Sequence, residues 1–87
     1  MEIAAEKLQK GDVILVDVFG EYPDVFLITG VDDDGEGSIC FGLRPLIQIE
    51  PGICVHAEVS PTSVPVRMYY KRGDLVRMLP FAAVTAK

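Results

Sequence analysis

The apolar residues of this chain fall in short runs rich in Val, Ile, Phe and Tyr, cut by Gly, Pro and Asp. Most runs alternate apolar with polar positions, the period of a strand whose side chains point to opposite faces in turn. The pattern predicts six strands, over residues 12–19, 25–31, 38–43, 53–59, 64–70 and 75–79. A short apolar segment, 46–49, lies between Pro45 and Pro51. Residues 3–9 are compatible with one helical turn, which Gly11 ends. Residues 80–85 are expected to close the chain with another helical or 3₁₀ turn.

Two hairpins can be written out by register. Folding 25–31 onto 38–43 around the loop 32–37 sets Gly30 opposite Ile39, Ile28 opposite Phe41 and Phe26 opposite Leu43. Folding 53–59 onto 64–70 around 60–63 sets Val59 opposite Val64, Ala57 opposite Val66, Val55 opposite Met68 and Ile53 opposite Tyr70. That places His56 beside Arg67 and Cys54 beside Tyr69 on the other face. A slip of one residue would turn each apolar set into water, so each pairing is expected to be specific. Pro65 lacks a donor for the ladder and points to an outer edge. The run Val13-Ile-Leu-Val16 does not alternate, as expected of a strand buried on both faces.

These expectations describe one all-β domain over 1–87, a small five- to six-stranded antiparallel barrel with short helical turns at its ends. The architecture resembles the small SH3-like barrels. Leu8-Gln-Lys-Gly-Asp-Val-Ile14 is similar to the turn that leads into the first strand of such modules. Arg72-Gly-Asp-Leu-Val76 echoes Lys10-Gly-Asp-Val-Ile14, and both read as a turn followed by a strand. A resemblance in fold does not carry a function with it.

Composition narrows the possibilities. An apolar fraction of 49% across 87 residues is too high for a disordered chain. No apolar run approaches the roughly 20 residues of a membrane-spanning helix. The first residues lack the basic start and apolar middle of an export signal, so a cytoplasmic setting is expected. Cys40 and Cys54 are too few for a disulfide framework and are not in C-x-x-C spacing; in a reducing compartment they read as free thiols serving as small hydrophobes. The net charge of −5 is unevenly spread: residues 1–63 carry −9 and residues 64–87 carry +4. An acidic chain disfavours nucleic acid as a partner, although the basic end could present a local patch.

Candidate chemistry is sparse. Asp32, Asp34 and Glu36 followed by Gly37 imitate the start of an EF-hand loop, but its final bidentate position falls on Leu43 and strands flank it. A turn is the better reading, with weak cation binding as an alternative. Arg72-Gly-Asp74 likewise reads as a turn. His56 is the single histidine, with Glu58 two positions along, and no nucleophile is evident beside it. One histidine and two separated cysteines are too few ligands for structural zinc. No catalytic residue, metal or cofactor is therefore assigned, and the chain is read as non-catalytic. Arg67, Tyr69 and Lys71 project from one strand face, with Arg72 adjacent, and Tyr and Arg are residue types that anchor interfaces. Phe19 and Tyr22, in the loop Phe19-Gly-Glu-Tyr-Pro23, form a second aromatic candidate. These six residues are the expected partner-binding set of a protein-interaction or self-associating module. Nucleic-acid binding through Arg67, Lys71, Arg72 and Arg77 is the alternative.

Overall fold

The computed structural model describes residues 1–17, 24–57 and 66–85. Among them eight strands form one sheet: β1 (Glu2–Ala4), β2 (Val13–Val16), β3 (Asp24–Asp33), β4 (Ser38–Glu50), β5 (Ile53–His56), β6 (Val66–Lys71), β7 (Leu75–Met78) and β8 (Ala83–Thr85). The pairing order is β1-β7-β2-β3-β4-β5-β8, and β6 joins β4 off this path. The chain is all-β, with eight strands where the pattern predicts six. The expected helical turn near the start is present as a 3₁₀ turn at Ala5–Lys7. The one expected at the end is instead β8, which pairs with β5 in parallel, so the sheet is not purely antiparallel. The β-branched Val84 explains the difference: it packs against a buried cluster that a surface turn would leave uncovered.

The sheet is curled. β6 and β7 are joined by the tight turn Arg72–Gly73, yet β2, β3 and β4 stand between them in pairing order. A flat sheet cannot bring two such distant strands within one turn of each other. Ile14, Phe26, Ile28, Ile39, Phe41, Leu43 and Val76 fill the inside of the curl, with Ala5 and Leu8 from the 3₁₀ turn region. Ile3, Val66, Met68, Tyr70 and Met78 pack around them. The rings of Phe41 and Tyr70 lie 5.8 Å apart and tilted by 59°. That is a favourable aromatic arrangement. A second cluster of Val13, Val25, Leu46 and Cys54 includes the strand neighbours of Ile14 and Phe26, so it lies on the opposite face. β2 is thus buried on both faces, as its unbroken apolar run predicts.

β4 organises everything else. Along one edge it pairs with β3, from Val25↔Leu46 to Asp33↔Ile39. Along the other edge its first half pairs with β6 (Ser38↔Lys71 to Leu43↔Val66), and its second half pairs with β5 (Leu46↔His56 to Glu50↔Ile53). Pro45 sits at the junction of the two. Its carbonyl accepts from Ala57 N–H at 3.2 Å, so its nitrogen faces the same side. The missing donor therefore falls where one edge partner has ended and the next begins, and the proline costs the ladder little.

Both expected hairpin registers are revised. In the first, Ile28 faces Leu43, not Phe41, and Gly30 faces Gly42, not Ile39, with a bulge between Ile28 and Gly30. In the second, β5 and β6 do not pair with each other among the described residues; both pair with β4. Val55 faces Ile47 and Met68 faces Phe41. Val59, Val64 and Pro65 lie outside the described residues.

Candidate functional site

β6 presents the candidate surface. Its residues alternate strictly: Val66, Met68 and Tyr70 are half-buried in the core, whereas Arg67, Tyr69 and Lys71 are exposed. Tyr69 is 70% exposed. Residues directly opposite in a sheet share a face. Arg67 therefore stands in a row with Gly42 and Gly30, Tyr69 with Cys40 and Asp32, and Lys71 beside Ser38. The glycines leave a shallow depression of about 260 Å³ bounded by Gly30, Val31, Asp32, Cys40, Gly42 and Arg67. A Cβ at Gly42 would come within 3.2 Å of Thr29 Oγ1 at the bulge, so a side chain there would have to push the threonine hydroxyl aside by a few tenths of an ångström. These neighbours were not legible beforehand, because they depend on β6 pairing with β4.

Of the expected set, Arg67, Tyr69 and Lys71 are brought together on one face. Arg72 is turned to other work: its guanidinium is ion-paired with Asp33. Arg77 lies on β7 with its Nη1 3.8 Å from Asp17. Among the described residues neither Arg67 nor Lys71 has a carboxylate within ion-pair distance. Phe19 and Tyr22 lie outside the described residues.

The acidic loop is a self-bonded turn. Gly35 N–H donates to Asp33 Oδ1 at 2.9 Å, and the N–H groups of Glu36 and Ser38 both donate to Asp34 Oδ1, at 2.6 and 3.1 Å. Carboxylates that bridge their own loop in this way build the turn itself. The two Gly-Asp turns are near duplicates. In each, the N–H of the first residue (Gln9 or Lys71) donates to the aspartate carboxylate (Asp12 or Asp74) at 2.8 Å. The aspartate N–H returns a bond to the first residue's carbonyl, at 3.1 and 3.0 Å. Gly11 and Gly73 hold φ of 99° and 87°, a region that disfavours side chains. Gly73 N–H also donates to Glu6 at 2.9 Å. That bond, followed by Glu6's own backbone N–H, holds the Glu6 carboxyl below its ordinary value.

His56 faces Leu46, not Arg67, and its Nδ1 is buried with no hydrogen-bond partner among the described residues. Glu58 lies outside them. Cys54 is fully buried, and desolvation pushes its thiol pKa up. Cys40 is half-buried on the β6 side of β4. Cys54 pairs with Gln48, eight positions along β4 from Cys40, a strand distance of about 25 Å that forbids a bridge within one chain. Among the described residues no helix is long and apolar enough to cross a membrane. Comparison with family models, curated proteins and solved structures finds no match to this chain.

Proposed function

We propose that this chain is a small SH3-like interaction module that works by binding, not by chemistry, and that it takes an extended segment of a protein partner along β6. The observation that carries this reading is β6 itself. Among the described residues it pairs on one side only, so half of its backbone N–H and C=O groups face away from the sheet. Strand addition at such an edge supplies affinity through the backbone and selectivity through alternate side chains. Tyr69 stands on that strand as an exposed aromatic between two cations. The duplicate Gly-Asp turns, which lead into β2 and β7 of a curled sheet, favour the SH3-like description. Free thiols at Cys40 and Cys54 suit a reducing, cytoplasmic setting. Nucleic acid is the weaker reading, because Arg72 and Arg77 are engaged by Asp33 and Asp17.

The test is selection of random ten-residue peptides displayed on a carrier, followed by amide hydrogen exchange of the protein with each enriched peptide. The expected result is slower exchange confined to Val66–Lys71 and its neighbours on β4. Tyr69→Ala is expected to weaken binding about tenfold, the scale of an aromatic interface anchor. Enrichment of no peptide, or protection elsewhere on the chain, would end the reading.

A further inference from the structure

Resting on that reading, we infer that the segment accepted by β6 is acidic and alternating: a carboxylate, an apolar residue, an aromatic or β-branched residue, a second apolar residue and a second carboxylate. The argument is one of register and charge. A strand added to β6 places one side chain opposite each β6 residue on the same face. Opposite Tyr69 a flat or β-branched side chain packs best. The positions two before and two after it then fall opposite Arg67 and Lys71. Both cations lack a carboxylate partner among the described residues, while Arg72, one residue further on, already has Asp33. The two intervening residues lie on the inner face beside Met68 and Tyr70, which are half-buried against the core. Apolar side chains there would extend that core. The pattern reads the same in either direction, so it suits a parallel or an antiparallel arrival.

A second copy of β6 fits less well. In a two-fold antiparallel pair, setting Tyr69 opposite Tyr69 puts Arg67 opposite Lys71 twice, and like charges directly opposed are destabilising. Setting Met68 opposite Met68 places Arg67 opposite Tyr69, but gathers the four cations of both strands on one face, with Asp32 of each copy two strands away from its own β6. β6 carries +2 and the rest of the chain −7, so β6 is a cationic strip on an acidic protein, and the complement of such a strip is acidic.

The test uses the full chain and two synthetic nine-residue peptides, one with the core Asp-Val-Tyr-Val-Asp and one with Lys in place of both Asp, titrated by fluorescence polarisation in 50 mM and 500 mM salt. The expected result is binding of the acidic peptide at least tenfold tighter at low salt, with the advantage shrinking at high salt as screening removes it. The double variant Arg67→Glu, Lys71→Glu is expected to prefer the lysine peptide. That gain also shows that the variant is folded. Equal affinity for both peptides, with exchange protection still on β6, overturns this inference and leaves strand addition standing. Failure of both peptides, and of every selected peptide, to protect β6 removes the two together. Dimerisation of the protein alone in sedimentation, with β6 amides protected, overturns the acidic segment in favour of self-pairing.

Discussion

Replacing Phe81 with glycine is expected to stabilise the protein, although it deletes a large apolar side chain. Phe81 has φ of 57°, the only positive value at a non-glycine residue among those described, and it is 102% exposed. An L-residue in the left-handed region carries roughly 1–2 kcal/mol of steric cost that glycine does not. A fully exposed ring contributes no burial, so nothing is lost on that side. Glycine gives back about 0.5–1 kcal/mol through the greater freedom of the unfolded chain. The balance spans about 0–1.5 kcal/mol and centres on a gain of about 0.75 kcal/mol, which in a domain of this size raises Tm by about 3–6 °C. Phe81→Ala is the matched control, because it removes the ring and keeps the Cβ. Urea unfolding of the three proteins, read at equal m-values, gives the comparison. If alanine equals or exceeds glycine, the stabilisation does not come from the backbone at position 81 and the reasoning fails.

Two further outcomes follow from the bonds around the turns and the second cluster. Glu6 has a folded pKa below its ordinary 4.5, so its contribution is present above that value and is lost as pH falls through the lowered folded value. The urea midpoint of the parent is therefore expected to exceed that of Glu6→Gln at pH 7, with the gap shrinking as pH falls below the ordinary 4.5; a gap that stays constant through the acid range would exclude the Gly73 bond as its source. Cys40 is expected to be alkylated by iodoacetamide in the native state, whereas Cys54, fully buried, reacts only at the rate of opening. Intact-mass kinetics at pH 8 give one fast and one slow addition, and two fast additions would contradict the second core.

The inward faces of β3, β4 and β6 were legible in the sequence, whereas the face of β5 and the strand partners were not: Cys54, expected opposite Tyr69 on the other face, is the fully buried residue of β5, and Ile53 and Val55 are half-buried. Phe26, Ile28, Ile39, Phe41 and Leu43 point inward as the alternation requires. Up to Ile28 the expected register differs from the observed one by two residues, and a two-residue shift leaves those side chains on their original face; beyond the bulge the shift is three, and Gly30 moves from the Ile39 face to the Arg67 face. Hydrophobicity alone could not separate those alternatives. The bulge after Ile28 and the Asx bonds at Asp33 and Asp34 decide them, because they shorten the loop to 34–37. Pro45 misled in another way. A proline inside an apolar run reads as a strand boundary, yet here it falls between two successive edge partners of one long strand. Once β4 is seen as thirteen residues, both β5 and β6 have a partner other than each other. The cationic strip itself was visible as Arg67, Tyr69 and Lys71, since it depends only on alternation within β6. The separation of Arg72 from that strip was not, because it depends on Asp33 being held at the end of β3.

The pairing of β1 with β7 bears on how the protein is made. Glu2 lies against Arg77, and Met78 N–H donates to the Met1 carbonyl at 2.7 Å. At about 5–20 residues per second, the first strand is translated roughly 4–15 s before β7, its sheet neighbour among the described residues. Until then Ile3 has no β7 to lie against, so this seam of the sheet stays unsewn while residues 5–74 are added.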